Sequence, residues 1–367
     1  MRLLVVTQKI DVGDSVLGFM HGWIAEFSRQ AESVSVVCLE KGTVNLPDNV
    51  KVFSLGKEKT ELRIMNYELW KKAKYIWRFV RYIAQLRNQY DAVFVHMNPE
   101  YILLGGLFWK LWGKPVTLWY AHKSVPWHLR LAHFFTDIIF TSTDSGFRLK
   151  SGKMKVVGQG IDVESFKLKA KSLQLQNRTF RIVTVWRITP SKDYNTLIEA
   201  IEIVRKNPNL KIHVDIVGPT SVASDEVYFS HLKEEINQKG LASIVTFRGS
   251  VANTKLPELL AEHDLFVNMG HTGSLDKAVP EAMAVGLPVL TCNEAFQEVL
   301  GPFTEDLMYP KEDAKALGSK ILKVIELSEE KRRVLGEELR AIVIKNHGLQ
   351  SFIRKIIYAI QSFKYHE

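Results

Sequence analysis

A chain of 367 residues with 46% hydrophobic content can bury more than one core, and chains beyond about 250–300 residues usually divide, so two domains are expected. The net charge of +9 suits an anionic partner, whether nucleic acid, acidic membrane or phosphorylated metabolite, without choosing among them. Only Cys38 and Cys292 are present, each in an apolar run, which argues against a disulfide framework or a thiolate metal site and fits a reducing compartment.

Along the chain, short apolar runs rich in β-branched residues alternate with longer helical patterns. The runs are LLVV at 3–6, VSVVCL at 34–39, AVFVH at 92–96, VTLWY at 116–120, DIIFTS at 137–142 and KVVGQG at 155–160. Their continuous apolarity is the mark of parallel strands covered by helices on both faces. LLVV is too short for a signal-peptide core, and the apolar run 101–109 is stopped by Lys110 well before the roughly twenty residues a membrane span needs. A cytoplasmic protein is expected, free to touch a membrane from that side. Residues 67–86 read as a helix with Leu69, Ala73, Ile76, Val80, Ile83 and Leu86 on one side. Lys71, Lys74, Arg78 and Arg81 gather opposite, with Tyr67, Trp70, Tyr75, Trp77 and Tyr82 around them. Such a face suits an anionic membrane interface; it is equally a solvated face whose rings rest on neighbouring loops.

The polar stretch 167–180 breaks the rhythm and reads as a linker. Strand runs then resume with RIVTVW, KIHVDIVG, IVTFRG, LFVNMG and PVLT, and residues 350–363 form a final amphipathic helix. Two doubly wound parallel-sheet domains would face each other across a cleft, with ligands beyond the carboxyl ends of the strands. Residues 1–166 form the first domain, 181–348 the second, and the helix within 349–367 returns to the first.

Two loops of the second half carry phosphate chemistry. In WRITPSKDY, Arg187 follows a strand and Lys192 precedes a helix expected at 195–204; two cations there either grip a diphosphate or are merely solvated. In HTGSLDKAVP, Gly273 and Ser274 permit close backbone approach before a helix expected at 281–285. Glu281 opens that helix, where a carboxylate could accept from ribose hydroxyls or simply favour the helix dipole.

RITPSK, IVGPTS, VTFRGSV, LPELLAEHDLFVNMG and PEAMAVGLPVL, in this order and at these intervals, resemble the landmarks of retaining GT-B enzymes of glycosyltransferase family 4. The resemblance covers about the whole second half. It implies that Arg187 and Lys192 bind a donor diphosphate and Glu281 the ribose, and that Gly218, Arg248 and Gly249 line the nucleotide base. One departure stands out: Gly273 occupies the position of the family's first signature Glu, which contacts the donor sugar. SLDK replaces the usual EGFG, so that Asp276 and Lys277, with Leu275 and Ala278 around them, become the sugar-facing candidates. In the first half VGQGIDVESF is similar to the family's Asn-Gly-Ile-Asp segment, with Gln159 in place of Asn. His122 matches the His at the sugar C1, His96 is a second candidate, and Gly13 and Asp14 correspond to the loop approaching donor phosphate or acceptor.

The resemblance therefore implies transfer from a UDP- or GDP-sugar with retention, by front-face attack. The acceptor would be a lipid-linked molecule or a glycan, reached through the helix at 67–86. No Asp-x-Asp pair occurs and no His or Cys spacing suggests zinc, so no metal or other cofactor is expected. A sugar-nucleotide epimerase of the same fold and a non-catalytic nucleotide-sugar-binding partner are the alternatives. Nucleic acid binding rests on charge alone, and neither half shows G-x-G-x-x-G after its first strand.

Overall fold

The computed structural model describes residues 1–59, 67–166, 179–220, 222–270 and 273–364. The expected linker lies outside these except for Thr179 and Phe180, and so do His271 and Thr272 of the second candidate loop. The described residues form two all-parallel sheets in two compact units, Met1–Gly160 with Leu349–Glu367, and Ile161–Gly348.

The first sheet holds β1 (Arg2–Ile10), β2 (Ser33–Lys41), β3 (Val50–Ser54), β4 (Ala92–His96), β5 (Val116–Trp119), β6 (Ile138–Thr141) and β7 (Met154–Val156), in the order β3-β2-β1-β4-β5-β6-β7. Alternate residues of each strand point to opposite faces. Leu3 and Val5 accordingly join one core with Trp23 and Phe27 of the helix Phe19–Gln30, while Leu4 and Val6 join the other. Three helices cover that second face: Tyr67–Gln85, Pro99–Leu111 and Trp127–Phe135. β3 was not legible in the sequence; its VKVFS is half-exposed, as befits a sheet edge.

The final helix, Leu349–Lys364, packs against Phe19–Gln30 and places Phe352, Ile353, Ile356 and Ile360 in the first core. Gly160 marks the end of the N-terminal segment. Its φ is +66°, and a Cβ there would come within 2.8 Å of Trp23 and Phe352, so only glycine fits. Its carbonyl accepts from the Trp23 indole at 2.8 Å.

The second sheet holds β8 (Phe180–Val185), β9 (Ile212–Val217), β10 (Val245–Gly249), β11 (Leu265–Asn268) and β12 (Val289–Thr291), in the order β10-β9-β8-β11-β12. One core runs through it. The order reverses between β8 and β11, a topological switch point of the kind where open α/β sheets take their ligands. Both cysteines are free; burial pushes the Cys38 thiol up to about 12 and the Cys292 thiol up to about 11, so neither is a poised nucleophile.

The helix Tyr67–Gln85 is rotated from its sequence reading. Ala73 and Ile76 stand exposed, and the side chain that anchors it is Phe79, fully buried with Ile83; Leu86 just beyond is buried too. The aliphatic pattern placed Ile83 and Leu86 correctly but missed the aromatic share of the face, where Phe79 is buried and Tyr75 and Tyr82 pack beside it. Arg78 is half-buried, donating to the Leu55 carbonyl at 2.6 Å, and so leaves the expected basic face. Side chains of residues 67–69 lie outside the described set.

Candidate functional site

At the switch point of the second unit, the loop after β8 and the loop after β11 meet through one buried ion pair. Lys192 closes the short turn Pro190–Lys192, and its Nζ lies 3.2 Å from Asp276 Oδ1 and 3.7 Å from the centre of the Trp186 ring. Lys192 is 5% exposed and Asp276 3%. Burial pulls the Lys192 ammonium below its usual range, and the Asp276 charge opposes that pull. The next residue, Asp193, adopts a left-handed φ of 49° and caps the helix Tyr194–Val204, accepting from the Thr196 amide. The turn is thus fixed on both sides of Lys192. Arg187 is exposed, directly after Trp186, and makes no ion pair among the described residues.

Asp276 is held from behind. Its Oδ2 accepts from Asn268 Nδ2 at 3.0 Å and from Asn293 Nδ2 at 3.4 Å. Thr291 Oγ1 donates to Asn268 Oδ1 at 2.9 Å, which fixes which end of that amide faces Asp276. The Asn293 amide also donates to the Ser274 carbonyl at 2.7 Å, pinning the turn through Gly273, whose φ is +67°. Gly270 completes the cradle: a Cβ there would sit 2.6 Å from Asp276 Oδ2 and 3.1 Å from Lys192 Nζ. Asn268, Gly270, Thr291 and Asn293 escaped the sequence reading. Their signal was a polar residue or glycine at the end of an otherwise apolar strand, which the strand pattern alone does not weigh.

The helix expected at 281–285 runs over Ala278–Ala284, starting three residues earlier. Pro280 is tolerated there because first-turn amides have no partner within the helix. Glu281 lies in its first turn, 4% exposed, with Lys277 Nζ 3.5 Å from Oε1. Burial raises the Glu281 carboxyl above its usual range, and the Lys277 charge and the Asn253 side chain work against it. Leu275 and Ala278 are buried in the core beneath.

Gly218 follows β9 with φ +144°, and a Cβ would stand 1.9 Å from the Trp186 carbonyl, so the backbone behind Arg187 tolerates no side chain here. Gly218→Ala is expected to cost about 1–3 kcal/mol of stability through overpacking, read by denaturant unfolding. An unchanged midpoint would show that the approach relaxes freely.

Arg248 is directed elsewhere than expected. Its guanidinium grips the fully buried Asp215, Nε to Oδ1 at 2.8 Å and Nη2 to Oδ2 at 3.2 Å. Arg181 at 3.2 Å and His263 at 2.8 Å share the same carboxylate. Burial opposes the Asp215 charge, but bonds from Arg248, His263 and Arg181 outweigh it and hold the carboxyl well below the usual range. Arg248 is therefore a structural partner of Asp215. Gly249 contributes its carbonyl to the Gly218 amide at 2.8 Å.

The remaining candidates lie in the first unit or at the start of the second. Asp14 accepts from the Val16 and Leu17 amides at 2.8 and 2.7 Å and pairs with Lys9 at 2.9 Å; Gly13 donates to Asp11. Both belong to the loop after β1, at that sheet's own switch point. His96 ends β4, 4% exposed and stacked on Trp119 at 5.3 Å. His122 accepts at Nδ1 from the Ser124 amide at 3.1 Å, which leaves the proton of the neutral ring on Nε2. Gln159, Ile161 and Asp162 frame the exit from this unit; Ile161 donates to the His347 carbonyl at 2.7 Å and Asp162 accepts from Ser165.

The chain is 25% identical over 299 residues, 71% of each chain, to "UDP-Gal:alpha-D-GlcNAc-diphosphoundecaprenol alpha-1,3-galactosyltransferase" of Escherichia coli. It spans 24%, 35% and 42% of the length of three other curated relatives it matches. Among solved structures, Anabaena Alr3699/HepE in complex with UDP and glucose superposes with a TM-score of 0.75 at 18% identity, over 98% of this chain and 99% of that one. Sucrose-phosphate synthase from Thermosynechococcus elongatus superposes with a TM-score of 0.79 at 15% identity over 100% of both. The chain has the GT-B fold, and its residues 165–341, which carry both candidate loops described above, match the family "Glycosyl transferases group 1".

Proposed function

We propose that the protein transfers a sugar from a nucleoside-diphosphate sugar to an acceptor, retaining the anomeric configuration and using no divalent cation. The observation that carries this is the Lys192–Asp276 pair joining two loops at the switch point, beside the exposed Arg187. As the glycosidic bond to the leaving diphosphate breaks, negative charge builds on that diphosphate, and the preorganised Lys192, with the exposed Arg187, meets it in place of a metal. Asp276 holds the Lys192 ammonium against Trp186, so the charge is already placed before the donor arrives. Glu281 takes the ribose hydroxyls. Asp276 is a poor candidate for a covalent nucleophile, because both of its oxygens already accept from Lys192, Asn268 and Asn293. A front-face route, with the leaving phosphate as base, fits that arrangement. The E. coli relative's name and the UDP complexes of HepE support a UDP-sugar donor and a lipid-linked or glycan acceptor, GDP being the other base to test.

A UDP- or GDP-sugar is expected to raise the melting temperature, as a ligand binding only the folded state must. Arg187→Ala and Glu281→Ala should each remove that shift. Chelation with EDTA should leave transfer unchanged, and NMR of the product should show the donor's own anomeric configuration. Absence of any shift across nucleoside-diphosphate sugars would sink the reading; binding without release of nucleoside diphosphate in the presence of acceptor would mark a non-catalytic partner.

A further inference from the structure

Sixteen large apolar side chains stand exposed among the described residues, and nine of them belong to the three helices that cover one face of the first sheet. On Pro99–Leu111 they are Leu107, Phe108 and Leu111, and on Trp127–Phe135 they are Trp127, Leu131 and Phe134. The last three fall at i, i+4 and i+7, so the helix turns a full apolar stripe to solvent in addition to Leu129 and Ala132, which it buries. Leu111 and Phe134 are each 74% exposed. The two helices pack directly on each other, and Gly106 is what lets them: a Cβ there would lie 2.7 Å from Phe135 Cβ. Their outward side chains therefore form one ridge. Beside it the helix Tyr67–Gln85, which also packs on Pro99–Leu111, adds Trp70 and Trp77, 77% and 59% exposed, with the Arg81 guanidinium 5.3 Å from the Trp77 ring.

The charge of this region is as uneven as its apolar surface. Residues 70–135 contain ten Lys and Arg against only Asp91 and Glu100, a net of +8, where the whole chain carries +9. Asp91 is taken up by Arg2 and Glu100 faces His128. Lys72, Lys74, Arg81 and Arg130 stand exposed around the apolar ridge. An ordinary solvated face would not concentrate tryptophan and phenylalanine, and a contiguous apolar patch of this kind marks an interaction surface.

We propose that this three-helix face docks on an anionic bilayer, the ridge of Leu107, Phe108, Leu111, Trp127, Leu131 and Phe134 entering the headgroup–acyl boundary and the surrounding cations meeting the lipid phosphates. Tryptophan and phenylalanine favour that depth, and lysine and arginine are drawn to the negative surface above it. The attachment lies in the interface, since no helix among the described residues is long and apolar enough to cross a membrane. The sequence pointed to the helix at 67–86 alone, by its basic face interleaved with Trp and Tyr; the fold adds the deeper anchoring of the two helices after it. The inference deepens the lipid-linked acceptor reading, while its test makes no use of donor or acceptor.

The test is flotation of the full chain with vesicles of phosphatidylglycerol and phosphatidylcholine in equal parts, and with phosphatidylcholine alone. Binding to the anionic vesicles is expected, weakened by salt but not abolished by it. The double variant L111E/F134E should weaken it by about tenfold or more, as expected for charge placed in a buried apolar contact; V227E, an exposed position of the other unit, should leave it unchanged. The melting-temperature shift with a UDP-sugar should survive in L111E/F134E, which separates loss of docking from loss of fold and from failure of the donor-site reading. Failure of the wild-type chain to float, or equal flotation of the double variant, overturns the proposal. So does a dimer in solution that L111E/F134E converts to monomer, which would make the face a contact between copies.

Discussion

Replacing Lys192 with alanine is expected to slow transfer by about 100–1,000-fold, the range seen when one preorganised electrostatic donor is removed from a site of developing charge. The effect should exceed that of an ordinary surface lysine because Lys192 is buried, seated on Trp186 and aimed by Asp276. Asp276→Ala should come close to it, although Asp276 acts through the lysine: without the carboxylate a buried ammonium has lost its counter-charge, and burial already pulls its pKa down. Lys192 in that variant would carry its proton less firmly, so the transfer rate should fall off at a lower pH than in the wild type. The two substitutions should also be far from additive, with a coupling of about 1–3 kcal/mol in kcat/KM. Additive losses and an unmoved pH profile would show that Asp276 has a role of its own.

The second large effect concerns stability. Asp215→Ala removes the shared acceptor of Arg181, Arg248 and the buried His263 at once; both guanidiniums can turn to water and the histidine cannot, so the loss is about 1–3 kcal/mol. Asp215→Asn keeps the shape and should isolate the charge. The folded carboxyl ionises well below its unfolded value, so its contribution is complete above the unfolded value, about pH 4, and is lost as the pH falls through the folded one. The wild type should therefore keep this stabilisation throughout the mildly acidic range, and the Asn variant should show a flatter decline on the acid side. Denaturant unfolding across pH reads both, and parallel curves for wild type and Asn variant would refute the assignment.

How much of this could be read in the amino acids depended on whether a residue's neighbours were local. The strand runs from LLVV to PVLT were legible because parallel strands buried on both faces are apolar throughout, and that is a property of consecutive residues. β3 was not, because VKVFS at a half-exposed edge carries no such run. Arg187, Lys192 and Glu281 stood out as candidates from motif order, and Asp276 and Lys277 from the SLDK departure. Their partners were not: Asn293 reaches Asp276, and Thr291 braces the Asn268 that also holds it, only because β11 and β12 lie side by side, which no spacing in the chain announces. Arg248 shows the converse, a motif position whose side chain a neighbouring strand had already claimed through Asp215. The helix at 67–86 gave up its existence but only part of its orientation, since Ile83 and Leu86 share the buried face with Phe79 while Ala73 and Ile76 do not, and only packing on the sheet decides between them.

The return of the helix Leu349–Lys364 to the first sheet has a consequence for the newborn chain. As residues leave the ribosome in order, β1 to β7 emerge early, yet the groove beside Trp23 stays open until Phe352, Ile353 and Ile356 arrive. The second unit, Ile161–Gly348, is continuous and can close first, against the usual N-terminal-first order of synthesis. During that wait an apolar strip of the first unit is bare, and the nascent protein depends on finishing translation, or on a chaperone, to keep that strip from meeting another chain.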